Sequence, residues 1–216
     1  PAFVTMSAIV REALVDLNSP AAVAQASQLP LGGVSADMLE TLLEVCRAYQ
    51  IAKRDARCID FADMLVGVCD EIRVGSPRAL KLQSLYAHVQ TDEAQDSSPS
   101  RWLIATHLGA KAKSLVSVGD LRQSVYGFTG ARPDLFKGRL AAGAKLLTLP
   151  VNRRSEASIV DAGNRVAEGK DWNLGGACSP RPEAGPGKVS VWKDTDSPGV
   201  EASRVESSMF DLEQIQ

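Results

Sequence analysis

The adjacent carboxylates Asp92 and Glu93 open the stretch Thr91-Asp92-Glu93-Ala94-Gln95-Asp96-Ser97-Ser98-Pro99. At the end of a strand, one acid of such a pair can hold Mg²⁺ while the other orients and deprotonates an attacking water. Magnesium takes hard oxygen ligands and keeps several waters, so one or two carboxylates beside a triphosphate suffice. A neighbouring carboxylate then serves as general base. Two acids that begin a helix look the same, because the helix dipole stabilises them there. For a bare Asp-Glu pair that plainer reading is favoured, and the rest of the sequence has to overturn it.

Two further clusters carry candidate chemistry. The second cluster of the chain, after the acid pair, runs from Gly119 to Ala131, Gly-Asp-Leu-Arg-Gln-Ser-Val-Tyr-Gly-Phe-Thr-Gly-Ala. Gln123 offers an amide that can report on a γ-phosphate. Tyr126 and Phe128 offer faces on which any nucleobase can stack, with no need for sequence specificity. Alternatively both rings are core and Gln123 is a surface amide. The third cluster is Asn152-Arg153-Arg154-Ser155. A guanidinium fork matches phosphate oxygens, and arginine delivered to a transition state is a recurring device in phosphoryl transfer. A solvated helix start would have the same composition.

Each cluster follows a segment that reads as a strand. Tyr86–Thr91 is short and β-compatible and stops at Asp92. Ser114–Val118 stops at Gly119-Asp120, and Lys145–Leu149 runs into Asn152. Helices alternate with these strands: Arg101–Leu108 after the Ser97-Ser98-Pro99 cap, and Glu156–Ala167 after the arginines. Polar clusters at the carboxyl ends of strands mark the ligand edge of an open α/β sheet. Upstream, residues 1–57 read as helical, with Leu39, Leu42, Leu43, Cys46 and Tyr49 on one face. Asp60–Ile72 reads as a second amphipathic helix. Asp60 is its cap, Asp63 lies in its first turn, and Phe61, Met64, Leu65 and Val68 form its buried face. Gly169–Gly187 is rich in Gly and Pro and reads as a loop, followed by a strand at Lys188–Lys193 and a closing helix at Glu201–Gln216.

Composition narrows the function classes. A chain of 216 residues, 44% hydrophobic, can bury one domain or two modest ones. Its net charge of −2 gives no global basic field, so contact with nucleic acid must be local. No run of eighteen apolar residues is present, and neither is the layout of a signal peptide. The first residue is not Met, which we read as a processed or truncated start. Four cysteines without C-x-x-C spacing read as reduced thiols of a cytosolic protein. Two histidines, far from any acid–cysteine cluster, give a hydrolytic triad or zinc site nothing to start from.

Taken together, VQTDEAQDSSP, VSVGDLRQSVYGFTGA and LTLPVNRRSEASIVDAGN resemble motifs II, III and IV of superfamily 1 DNA helicases of the UvrD/Rep/PcrA type. Order and spacing agree, and IDFADML resembles the segment that precedes motif II. The resemblance covers roughly residues 55–215. It implies a RecA-like P-loop NTPase fold, α/β, with a parallel sheet flanked by helices. Residues 1–57 would be a helical segment of the 1B insertion, 58–143 the back part of domain 1A, and 144–216 the start of domain 2A. It implies ATP and Mg²⁺ as cofactors, single-stranded or duplex DNA as partner, the remaining helicase domains of the same protein around the chain, and no membrane.

Site roles follow from the resemblance. Asp92 would bind Mg²⁺ largely through water, and Glu93 would be the general base. Gln123 would sense the γ-phosphate, and Arg154 would reach it from the second RecA-like domain. Tyr126 and Phe128 would contact single-stranded DNA. Two positions depart from the pattern. Thr129 stands where the family has arginine, and Arg153 where it has the tyrosine that stacks on adenine; a guanidinium plane can also stack on a purine.

The sequence contains no G-x-x-x-x-G-K-[ST] phosphate loop. Gly187-Lys188 lies in a Pro-rich stretch after the third cluster and is followed by Val189, so it is a decoy. The expectation is therefore a part of an ATP-dependent, 3′-to-5′ DNA helicase or translocase, inactive by itself. The alternatives are a non-catalytic, helicase-like DNA-binding or scaffold module, and the helicase portion of an AddA/RecB-type helicase–nuclease.

Overall fold

A computed structural model describes residues 2–29, 31, 34–170 and 173–190. It is mixed α/β and divides into two compact units. The first is built from the residues up to Leu147, the second chiefly from Thr148–Lys170 and from Gly175 on.

The first unit begins with three helices, α1 (Ala2–Glu12), α2 (Ala22–Ala26) and α3 (Ala36–Asp55). The described part of residues 1–57 is thus helical in three pieces. Ser35 caps α3 by accepting the Met38 N–H at 3.3 Å. Leu39, Leu42, Leu43 and Cys46 are buried as expected, whereas Tyr49 is only half-buried. They join Ile9, Val10, Val15, Leu17, Ala22, Ala26 and Leu31 in one apolar core.

Helix α4 (Phe61–Arg73) starts with a reciprocal cap. The Asp60 carboxylate accepts the Asp63 N–H at 2.9 Å, and the Asp63 carboxylate accepts the Asp60 N–H at 3.1 Å. The same two carboxylates hold Lys53 Nζ, each at 2.6 Å, and Arg11 reaches Asp63 at 3.3 Å. The Lys53 ammonium also lies 4.5 Å from the centre of the Tyr49 ring. This cluster ties α1, α3 and α4 together and sets the rotation of α4. The rotation corrects the expected buried face. Phe61 is 87% and Met64 56% exposed, Val68 is exposed and Leu65 half-buried. The buried residues are instead Ala62, Val66 and Cys69, whose small size lets α1 and the later helix α6 come close.

After α5 (Pro77–Leu82) come strand β1 (His88–Thr91), helix α6 (Pro99–Gly109) and strand β2 (Ser114–Ser117). Both strands are shorter than the sequence suggested. They pair in parallel, with His88 opposite Ser114 and Thr91 opposite Ser117. Pro99 occupies the first turn of α6, but Ser98 Oγ does not cap it; it donates to Glu12 Oε2 at 2.8 Å. Helix α7 (Pro133–Ala141), not anticipated, packs on the turn after β1, and Phe136 stacks on Trp102 with centroids 6.4 Å apart.

The second unit holds β3 (Val151–Asn152), α8 (Ala157–Ala167) and β4 (Ser179–Pro180), the two strands pairing in parallel. The strand expected at Lys145–Leu149 is absent. That segment has no ladder partner among the described residues, and Leu147 and Leu149 are 77% and 86% exposed. The ladder forms two residues later, where Asn164 makes paired hydrogen bonds with the Cys178 backbone, 2.8 and 2.9 Å, and draws β4 alongside. The Gly169–Gly187 stretch is therefore more than a loop. Lys188–Ser190 is not a strand; the remainder of that segment and the closing helix at Glu201–Gln216 lie outside the described residues. No helix among the described residues is long and apolar enough to cross a membrane.

Lys53 is the residue whose loss should cost most. Its side chain is 7% exposed, and removing it leaves two carboxylates facing each other. Lys53→Ala is expected to lower unfolding free energy by about 3–5 kcal/mol in urea titrations. Burial would raise the Asp60 carboxyl, but the hydrogen bond from Lys53 and the other bonds to it outweigh that and hold it below its ordinary range. The contribution from Asp60 is therefore complete above that ordinary range and is lost as pH falls through the depressed value. Lys53→Ala should flatten this acid limb.

Candidate functional site

The site of the first unit is assembled by backbone bonds that continue beyond the strands. The Val118 N–H donates to Thr91 O at 2.8 Å, and the Ala94 N–H donates to Val118 O at 2.9 Å. These bonds bring the turn after β1 against the turn after β2. Asp92 stands directly beyond the end of β1, exposed, and its Oδ1 accepts the Glu93 N–H at 2.9 Å. Glu93 adopts left-handed backbone, φ 47° and ψ 44°, which costs a non-glycine residue roughly 1–2 kcal/mol. The chain then enters the short 3₁₀ turn Ala94–Asp96. The two acids are therefore at a strand end, as expected, and not at the start of an α-helix.

Gln95 holds this arrangement, a residue to which the motifs assign no role. Its side chain is 1% exposed. Nε2 donates to Glu93 Oε2 at 2.8 Å and to Asp96 Oδ2 at 3.2 Å, and Oε1 accepts the Asp120 N–H at 3.0 Å. One buried amide thus joins the acid turn to the backbone of the second cluster. Gly119 makes room for it, since a Cβ there would lie 2.5 Å from Gln95 Oε1. The only trace in the sequence is a glutamine two residues after the glutamate and a glycine just after the next strand.

The second cluster is built around Asp120. Its carboxylate accepts the Arg122 N–H at 3.0 Å, the Arg122 Nε–H at 2.9 Å and the Gln123 Nε2–H at 3.2 Å. Burial pushes the Asp120 carboxyl up, but these bonds outweigh it and hold it low. Gln123 is exposed and leans on Asp120. Tyr126 and Phe128 are 49% and 66% exposed, with ring centroids 6.1 Å apart and planes at 40°. They are not core. The turn closes at Gly130, φ 88°, which lies against Ile9 of α1.

Burial raises the carboxyl pKa of Asp96, the Glu93 charge adds to the rise, and the bond from Gln95 offsets part of it. Among the described residues no three His, Cys, Asp or Glu side chains gather as a metal-holding set.

In the second unit, Asn152 Oδ1 accepts the N–H groups of Arg154 and Ser155, both at 2.9 Å. Arg181 braces the same turn, donating to Arg154 O at 3.0 Å and pairing with Glu156. The backbone is fixed while the side chains of Arg153 and Arg154 are exposed. The start of α8 is closed from behind: Gly185 O and Pro186 O accept the N–H groups of Ala157 and Ser158, both at 3.0 Å. The Gly-Pro-Gly stretch, a decoy as a phosphate loop, is a helix cap.

Comparison with known proteins agrees with this architecture. The family model of the UvrD/REP helicase N-terminal domain matches residues 7–139, more than half of the chain. The match reaches further toward the N-terminus than the resemblance read from the motifs. The chain is 31% identical over 129 residues to ATP-dependent DNA helicase PcrA of Leuconostoc citreum, covering 59% of this chain and 17% of that protein. It is 32% identical over 169 residues to an ATP-dependent helicase/nuclease subunit of Desulfitobacterium hafniense, covering 68% of this chain and 12% of that protein. It is 26% identical over 166 residues to RecBCD enzyme subunit RecB of Mycobacterium tuberculosis, covering 76% and 15%. The chain therefore spans less than a fifth of the length of these relatives. It belongs to the UvrD/REP helicase N-terminal domain family.

The close approach at Gly119 sets a prediction. Gly119→Ala must displace the Gln95 amide or shift the turn, at an expected cost of about 1–3 kcal/mol. Urea unfolding of the variant measures this, and unchanged stability would show that the Gln95 bridge carries little.

Proposed function

We propose that the chain is part of an ATP-dependent DNA helicase or translocase, 3′-to-5′ in direction, that couples ATP hydrolysis to movement on single-stranded DNA. The observation that carries the reading is the Gln95 bridge. It makes one hydrogen-bonded unit of Glu93, suited to activate water, and the turn that presents Gln123, Tyr126 and Phe128. Family membership and the helicase names of the relatives support it.

In this reading the fold is RecA-like, with residues 58–143 from domain 1A, 144–216 from domain 2A and 1–57 from the 1B insertion. Glu93 is exposed and commits one carboxylate oxygen to Gln95. It takes a proton from the water whose oxygen bonds to the γ-phosphorus as the bond to the β–γ bridging oxygen breaks. That bridging oxygen leaves on ADP with the electron pair. Asp92 fits a water-rich Mg²⁺, because its carboxylate is exposed at a strand end and, among the described residues, engages through Oδ1 with the Glu93 N–H. The ion, when bound with nucleotide, supplies charge neutralisation on the phosphates. Gln123 senses the γ-phosphate, held meanwhile by Asp120. Arg154 serves the phosphate and Arg153 stacks on the base. Tyr126 and Phe128, solvent-facing and adjacent, stack on DNA bases.

Half-exposed valines in and just beyond β2 fit a chain covered by further helicase domains: Val116 is 47% and Val118 39% exposed. A second reading, the helicase portion of a helicase–nuclease, draws support from the helicase/nuclease subunit of Desulfitobacterium hafniense and the RecB subunit of Mycobacterium tuberculosis, each of which matches more of the chain than the Leuconostoc citreum PcrA does.

Glu93→Gln in the full-length protein tests the base assignment. DNA-stimulated ATP hydrolysis should fall by at least about a hundredfold while ATP-dependent DNA binding persists. Undiminished turnover would reject it.

A further inference from the structure

The turn between α1 and α2 and the facing sides of α3 and α4 border an open cavity of about 810 Å³. No residue of the acid turn or the aromatic turn lines it. Arg47, Gln50, Ile51 and Arg54 of α3 line it at the spacing of one helix face, and Arg73 of α4 stands in the same wall. Arg47 is half-buried, and its Nε–H donates to Leu17 O at 2.6 Å. That carbonyl is neutral, and among the described residues no carboxylate pairs with Arg47. Charges withdrawn from water are ordinarily paired. The bond to Leu17 thus fixes the guanidinium while leaving its charge unmatched.

Acids stand in the same wall and do not engage it. Asp16 Oδ1 accepts the Asn18 N–H at 3.0 Å, and Asp70 lies 3.7 Å from Arg73, with both of those side chains exposed. Arg54 is exposed and has no partner among the described residues. Arg11, also in the wall, pairs with Asp63. Four guanidinium groups therefore share one cavity with two carboxylates. An anion restores the balance, and the spacing selects its kind. Arg47 and Arg54 lie two helical turns apart, about 10.5 Å along the axis of α3. A single carboxylate engages one guanidinium fork, whereas linked phosphates can reach both forks and Arg73 on the facing helix.

We propose that this cavity binds consecutive phosphate groups, those of a polyphosphate or of a nucleic-acid strand, with Arg47 as the fixed anchor and Arg54 and Arg73 as the outer contacts. The bond from Arg47 to Leu17 O holds the anchor in place before the ligand arrives, so less side-chain freedom is lost on binding. The inference does not rest on the nucleotide reading, and its test measures no ATP hydrolysis.

The test titrates the chain with sodium tripolyphosphate, with sodium acetate at matched ionic strength as the control. The Arg47 Nε–H cross-peak in NMR gives the place of binding, and calorimetry gives the affinity. A saturable Arg47 shift with tripolyphosphate and none with acetate is expected. Arg47→Gln would also remove the bond to Leu17 O, so the exposed pair carries the mutational arm. Arg54→Gln and Arg73→Gln together should weaken binding by about tenfold or more. Equal shifts with the two salts, no shift, or an unchanged affinity in the double variant would overturn the proposal. A short single-stranded oligodeoxythymidylate then distinguishes the sources of the phosphates. It is added to the chain carrying Tyr126→Ala and Phe128→Ala, which keeps base stacking at the aromatic turn out of the result. An Arg47 shift at lower concentration than tripolyphosphate requires assigns the site to a nucleic-acid strand, and a weaker response assigns it to free polyphosphate.

Discussion

The buried amide of Gln95 is the contact on which the rest of the site depends. A glutamine side chain sealed from water must satisfy its donors and its acceptor internally. Here Nε2 serves Glu93 and Asp96, and Oε1 receives the Asp120 N–H. Because those partners belong to turns 25 residues apart in sequence, the amide fixes a distance that the short β1–β2 ladder alone would leave loose. Gly119 is part of the same constraint, since any side chain there would enter the space of Oε1.

That constraint explains why a strained residue persists. Glu93 is held in left-handed backbone by bonds on both sides: its N–H to Asp92 and its carboxylate to Gln95. The turn keeps Glu93, exposed, at the strand end, the edge where open α/β sheets bind ligands. Farther from the edge, the Lys53–Asp60–Asp63 cluster does analogous work for the scaffold. It sets the rotation of α4 and so which face meets α1 and α6.

How much of this could be read from the sequence differs by the range of the interaction involved. The acid pair at a strand end, the Pro99 start of α6 and the Asp60 cap follow from local rules and are where those rules put them. The face of α4 did not follow. Phe61 and Met64 have the size and spacing of core residues, but a buried lysine decides the rotation, and nothing near Lys53 in sequence marks it as buried. The strand at Lys145–Leu149 failed for a related reason: a strand exists only with a partner, and the partner, Ser179–Pro180, is selected by Asn164 from a stretch that looks like a linker. Residue types identified Asp92, Glu93, Gln123, Tyr126 and Phe128 as candidates in the first unit, and Arg153 and Arg154 in the second. The residues that position the first set, Gln95, Gly119 and Asp120, remained ordinary until the two turns were brought together.

The central claim is that Gln95 makes one unit of the acid turn and the aromatic turn. Amide hydrogen exchange in the chain and in Gln95→Ala tests it most directly. The Asp120 amide, which donates to Gln95 Oε1, should lose most of its protection in the variant, while the Val118 amide, which donates to Thr91 O, should keep its own. An Asp120 amide equally protected with and without the glutamine would contradict the claim.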